Sequence, residues 1–502
     1  MKKSGRKKRS IVNILVSLAS QVMTVIVGML LPRALILNYG SETNGIITSL
    51  QQIISYLTLI EGGLLSAVAV SLYTPVAQDN INKINSILYS AKKTYNRLGV
   101  YFFAVLVAFS ILYPYIISET AYCKWQLSVI VLLIGVNGAT QILFIGKYKA
   151  LMMAAQMNGM ILAINALSTV LYSSILIIAS YYHIDILLAL SLAVISYIIR
   201  SVLFYGAVKY WLSEYSFSKK DIDVEFPQRN DAFYSQVLSL ASLNGCVVIL
   251  SVFRVPMEII SVYTTYNLVL SGIFLFMYSI ENSMTSAFGN LLAEKSLKKI
   301  QTAYIKFDII YHFIWSVVIA DLLILLLPFI KIYTSEASDV NYILDKEAFL
   351  FVVVGATWML RNQQTLLMSA NGSFRNIRNP MFWETAIVLV GGGIGYYIEG
   401  LSGMLLAKII ATIFVLYFLV IYTYKKMLSL NSMNKIYNIF MSLVAIGITY
   451  IVVKYFSNNL VISNFTEWVV YAIASTLISI LITSVVWYLG YNKQLKEIKI
   501  LN

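Results

Sequence analysis

The sequence predicts an all-α polytopic membrane protein with fourteen transmembrane helices, arranged as two pseudo-symmetric six-helix lobes plus two C-terminal helices. Three observations carry this expectation. Of 502 residues, 59% are hydrophobic and only 12% charged, about half the charged share of a soluble domain, whose surface must face water. The apolar residues arrive in blocks of about twenty, the length a helix needs to cross ~30 Å of hydrocarbon. Basic residues gather in alternate connecting segments, the pattern of cytoplasmic loops.

In chain order the predicted spans are 11–31, 46–72, 98–117, 126–145, 160–180, 186–207, 234–252, 263–283, 309–330, 350–370, 383–398, 403–424, 437–456 and 468–489. The first follows Lys2, Lys3, Arg6, Lys7, Lys8 and Arg9. Its apolar part exceeds that of a signal peptide, lacks a small-residue cleavage site and precedes many more spans, so it reads as an uncleaved first helix. Ser and Asn dilute the seventh span. The eleventh contains Gly391, Gly392, Gly393 and Gly395, which weaken a helix but allow close packing.

Orientation tests this reading independently. With the start placed inside, the inner segments and the two ends hold 28 of the 37 basic residues. The outer segments hold Arg33, Lys124, Arg254, Lys331, Lys346 and Lys454. An odd number of spans would break this alternation, so both termini are expected in the cytoplasm. The longest inner loop contains Lys219, Lys220, Asp221, Asp223, Glu225 and Pro227, a surface connector by composition. The expected organisation is an N-terminal lobe over 1–207, a cytoplasmic connector over 208–233, a C-terminal lobe over 234–424, and the final two helices with a tail over 425–502.

An internal repeat supports the two lobes. Arg33 and Arg254 close the first and seventh spans on the outer side; Glu61 follows the first by 28 residues, and Glu281 follows the second by 27. The strings Glu61-Gly62-Gly63-Leu64-Leu65-Ser66-Ala67 and Glu281-Asn282-Ser283-Met284-Thr285-Ser286-Ala287 align, and each leads into a basic stretch. Six spans separate the copies. An even displacement preserves orientation, which makes this a parallel repeat about an axis along the membrane normal.

Few ionisable residues interrupt the spans, and each costs at least ~2.5 kcal/mol in hydrocarbon. Arg200, Arg361 and Lys408, with Arg33 and Arg254 at the outer ends, are candidates for binding an anionic substrate. An arginine can hold a phosphate through paired charge-assisted hydrogen bonds. Glu61, Glu281 and Asp321 are candidates for coupling or gating, by carrying a proton or by joining a cation site. Structural ion pairs that fix helix packing are the competing reading. Asp308 and His312 read as structure near the inner interface, and His183 carries no special signal. Tyr and Trp near the span ends, such as Trp125, Trp211 and Trp468, form an interfacial belt.

Several function classes are excluded. The net charge of +14 lies in tails and alternate loops beside the spans, which points to membrane orientation and not to nucleic acid. Two cysteines, Cys123 and Cys246, cannot build a metal cluster, and Cys246 lies within a span. The loops are too short for a catalytic domain, so the chain is not expected to be an enzyme. There is no Gly-x-x-x-x-Gly-Lys-Ser/Thr loop for ATP.

The stretch Pro32-Arg33 with Tyr39-Gly40-Ser41-Glu42-Thr43-Asn44-Gly45, and Glu61-Gly62-Gly63-Leu64 in the second span, resembles the multidrug/oligosaccharidyl-lipid/polysaccharide exporter superfamily. Within it the chain is similar to the bacterial polysaccharide transporter branch. That resemblance implies a flippase fold and an undecaprenyl-diphosphate-linked oligosaccharide repeat unit as substrate, moved from the cytoplasmic to the external leaflet of the bacterial plasma membrane. It implies no cofactor, drive from a proton or sodium gradient or the membrane potential, and a polysaccharide polymerase and glycosyltransferases as partners. Lipid II flippases share the fold but generally have a more cationic cavity. The drug exporters of the superfamily usually stop at twelve spans.

Overall fold

The computed structural model describes residues 3–117, 120–155, 157–217, 229–293, 296–371, 373–457, 460 and 462–501. Residues 218–228 of the predicted connector, together with Lys2 and Lys295, lie outside the described residues, as do the side chains of the other five N-terminal basic residues and of Lys493, Lys496 and Lys499. Every regular element described is helical: α1 (Lys3–Leu57), α2 (Leu59–Ala77), α3 (Ile81–Ile116), α4 (Lys124–Thr140), α5 (Gly146–Ala154), α6 (Asn158–Tyr181), α7 (Ile186–Trp211), α8 (Arg229–Val252), α9 (Met257–Ala293), α10 (Leu297–Tyr333), α11 (Asp345–Ala370), α12 (Phe374–Ala386), α13 (Gly392–Ile421), α14 (Met433–Ser457) and α15 (Phe465–Leu501). Short π-turns continue three of them, at Gln141–Ile145, Ile387–Gly391 and Tyr422–Met427.

Burial runs opposite to that of a soluble protein. Large apolar side chains face outward, with Tyr397 85% and Ile398 75% exposed, while Gln363, Gln364 and His312 are fully buried. Only a hydrocarbon solvent makes this arrangement favourable, because exposed Ile and Tyr lose nothing there and polar groups must satisfy one another inside. The chain is a multi-pass membrane protein.

Among the described residues, ten helical stretches are long and apolar enough to cross a bilayer, fewer than the fourteen predicted spans, and the reason is local. α1 runs through a kink at Gly40 (φ +86°), and the second predicted span is divided between α1 and α2. A second continuous stretch bends at Glu399–Gly400 and contains both the eleventh and twelfth predicted spans. α8, which holds the seventh predicted span, and α11 are not among the ten, and α11 is too polar because Arg361, Asn362, Gln363 and Gln364 follow one another in mid-helix.

The kinks have visible causes. At Gly40 the backbone takes the positive φ that glycine adopts at no steric cost. The helix restarts at Ser41, whose amide and hydroxyl donate to the two carboxylate oxygens of Asp339 at 2.6 and 2.8 Å, so an acid caps the exposed helix start. Around Gly400 the two limbs fold back on each other. A Cβ at either Gly395 or Gly403 would overlap the other's carbonyl, so this crossing requires glycine on both sides.

The chain forms two compact units, one of residues 1–264 with 337–340, the other of residues 265–336 with 341–502. In the first, α8 packs on α1 and α2, and a Cβ at Gly45 of α1 would collide with the Met257 carbonyl. In the second, α10 packs against α11, α14 and α15.

Candidate functional site

The first unit brings together Glu61 and Arg200. Glu61 is buried in α2, and its Oε2 accepts a hydrogen bond from Gln141 Nε2 at 2.9 Å. Arg200 of α7 is 8% exposed and donates from Nη2 to the Asn137 side-chain oxygen at 2.8 Å and to the Asn137 carbonyl at 3.3 Å. The Thr140 hydroxyl lies 3.4 Å from the same nitrogen. The guanidinium also sits 5.5 Å from the Tyr197 ring centre, within cation–π range. Among the described residues, the oxygens it touches are uncharged and its Nε has no hydrogen-bond partner. Asn137, Thr140 and Gln141 lie where α4 opens into its π-turn. Such turns rotate the helix register locally and recur at functional sites. They belong to the site, and hydropathy does not reveal them because the stretch Lys124–Ala154 around them still has a mean hydropathy of 2.1.

The second unit builds a related arrangement with different charge balance. Glu281 of α9 accepts from the Tyr311 hydroxyl at 2.8 Å on Oε1 and from Asn362 on Oε2. One residue before Asn362, Arg361 donates to Glu384 Oε2 at 2.7 Å in an ion pair buried at both ends. Glu384 was not among the expected site residues, because it stands in the first turn of its predicted span and reads as interfacial. Lys408 is buried in α13.

Other predicted residues are placed elsewhere. Arg254 (φ +53°) ends α8 in the left-handed conformation, with Val255 N–H bonding Leu250 O at 3.0 Å, a Schellman-type close. Its guanidinium donates to the carbonyls of Tyr115 at 2.8 Å and Ile116 at 3.1 Å, so it caps the C-terminus of α3. Arg33 is half-buried in α1. Asp321 joins α10 to α15, accepting from Thr476 at 2.8 Å and Ser479 at 2.7 Å.

A second buried cluster sits about one turn earlier on α10. Asp308 Oδ1 accepts from Lys435 Nζ at 2.8 Å and Gln363 at 2.6 Å, and Oδ2 accepts from Asn438 at 2.7 Å and the Tyr424 hydroxyl at 3.0 Å. His312 contacts Ser442 at 3.3 Å. Lys435, Asn438 and Ser442 are spaced three and four apart and so share one face of α14. The sequence grouped Lys435 with the basic residues of an inner loop, yet it is 1% exposed.

The chain is similar in fold to solved structures. It superposes on the lipid II flippase MurJ in an inward closed conformation with a TM-score of 0.73 and 14% identity, over 96% of this chain and 100% of that one. An inward-facing multidrug-resistance MATE transporter of the MOP superfamily gives 0.58 at 15% identity, over 82% and 97%. A eukaryotic MATE transporter gives 0.54 at 12% identity, over 82% and 94%. The fold is that of MurJ and the MATE transporters. At these identities the MurJ-like likeness concerns architecture and assigns no substrate. No known family profile matches the sequence, and no curated protein matches it.

Proposed function

We propose that this protein is a flippase that carries the headgroup of an undecaprenyl-diphosphate-linked oligosaccharide repeat unit from the cytoplasmic to the external leaflet by alternating access, for cell-surface polysaccharide synthesis. The observation that carries the reading is the extent of the MurJ match. A match over 96% of 502 residues leaves about 20 residues outside it, fewer than α14 and α15 contain (25 and 37). The MATE likenesses reach between 81% and 84% of the chain. The C-terminal helix pair is thus a feature held in common with a transporter of a lipid-linked substrate.

Chemistry supports the same class. A diphosphate and sugars cross hydrocarbon only at great cost, whereas a polyprenyl tail already resides there, so the protein need shield the headgroup alone. Arg200 is the best phosphate contact, because its charge meets only neutral oxygens and a ring face. Arg361 and Arg254 would have to exchange the Glu384 carboxylate and the α3 carbonyls for a phosphate. Arg33 and Lys408 complete the proposed basic set. Glu61 and Glu281 are the proposed coupling carboxylates, using a proton or sodium gradient or the membrane potential, with both termini cytoplasmic. A polymerase and glycosyltransferases are the proposed partners. Lipid II is the second reading, favoured by the substrate named for the TM-score 0.73 neighbour.

The test is reconstitution of folded protein in liposomes with fluorescent undecaprenyl-diphosphate oligosaccharide or fluorescent lipid II, under proton, sodium and potassium-diffusion gradients. Gradient-dependent movement of the oligosaccharide lipid supports the first reading, and movement of lipid II alone supports the second. Movement of neither under any gradient overturns both.

A further inference from the structure

The two halves of the chain carry a glutamate, a tyrosine and a carboxamide in the same order: Glu61, Tyr95 and Gln141, then Glu281, Tyr311 and Asn362. Glutamate and carboxamide are 80 residues apart in the first set and 81 in the second, and in both the amide donates to the glutamate Oε2. Glutamate and tyrosine are 34 and 30 residues apart. The difference is about one helical turn, which preserves the face on which the tyrosine stands.

The second set is closed, with the Tyr311 hydroxyl 2.8 Å from Glu281 Oε1. In the first set the corresponding atoms, Glu61 Oε1 and the Tyr95 hydroxyl, are both buried, and among the described residues neither has a hydrogen-bond partner. One lacks a donor, the other an acceptor. A buried polar atom without a partner is costly and rare, and here each atom is what the other lacks. α3, which carries Tyr95, packs on both α2, which carries Glu61, and the π-turn that opens at Gln141. The Tyr95 ring is held against Gly146, where a Cβ would overlap it.

We propose that Tyr95 is the positioning residue for Glu61: the first triad, open in this conformation, closes during the transport cycle into the bond that Tyr311 already makes to Glu281. Closure turns Glu61 toward Tyr95 and away from Arg200, leaving the guanidinium charge to an incoming phosphate. This inference rests on the proposed roles of Glu61 and Arg200 above.

The experiment uses the full-length purified protein, a hydrophobic carbodiimide as carboxyl probe with mass-spectrometric readout, and the variants Tyr95→Phe and Tyr311→Phe. Glu61 should label several-fold faster than Glu281. Tyr311→Phe should raise Glu281 labelling several-fold and lower the thermal midpoint. Tyr95→Phe should leave both labelling and midpoint at the wild-type level yet slow flipping about tenfold, the worth of one hydrogen bond to a charged group. Equal labelling of the two glutamates in the wild type, or an equal loss of stability in the two variants, overturns the open-and-closed assignment. Tyr95→Phe flipping at the wild-type rate overturns the positioning role. Should the wild type flip neither lipid, the function fails while the labelling contrast still decides the open and closed states.

Discussion

The buried arginines illustrate how one residue type serves two ends. Arg361 is neutralised by Glu384, and removing one partner of a buried pair leaves an uncompensated charge worth roughly 3–5 kcal/mol. Arg361→Gln should therefore lower the thermal midpoint sharply in detergent, and adding Glu384→Gln should recover most of the loss. Among the described residues, Arg200 contacts no such carboxylate. Arg200→Gln should leave insertion and stability near wild type but reduce flipping at least about tenfold, the worth of one charge-assisted bond; a normal rate would return it to a packing role. Legibility at this scale followed charge. Glu61, Glu281, Arg200 and Arg361 stood out because hydrocarbon penalises ions. Gln141 and Asn362 did not, although the 221-residue offset relating Arg33 to Arg254 also relates Gln141 to Asn362. Glu384 and Lys435 were hidden by their position at span ends, where a charge usually reaches water.

At the level of helices, α14 is fixed to α10 by polar atoms inside an apolar surround. Lys435→Met should cost stability in the same range of ~3–5 kcal/mol, and Lys435→Met with Asp308→Asn should cost much less, because neither member of the pair is then charged. A thermal-melt double-mutant cycle measures the coupling, and additive losses would show that the two groups act separately. Hairpin geometry makes a second prediction: Gly403→Val should disrupt the crossing at Gly395 and lower the yield of monodisperse protein, whereas Gly447→Val, with open space at its Cβ, should not. Helix positions were legible from apolar length. Kinks and π-turns were not, since they depend on contacts made far away, such as Asp339 on Ser41, 298 residues apart.

For the whole molecule, the six-span displacement gains a physical counterpart in the matched glutamate–carboxamide bonds of the two units. Topology can be measured directly. With both termini cytoplasmic, a C-terminal green fluorescent protein should fluoresce and a C-terminal alkaline phosphatase should be inactive; the reverse would invert the assignment. The fold class was legible because membrane solvation acts on composition and length, which the sequence displays openly. Substrate identity was not, because it depends on which few polar atoms are left without partners after folding.

The acids of α10 also fix an order of events. Asp308 finds its ammonium partner 127 residues later in the chain, and Asp321 its hydroxyl partners 155 and 158 residues later. While the chain is being made, α10 therefore enters the bilayer carrying two acids whose partners have yet to be translated. It needs shelter from the insertion machinery until α14 and α15 emerge. Late frameshifts and premature stops in the gene should then be as damaging as early ones, and the unfinished protein should be recognised and degraded.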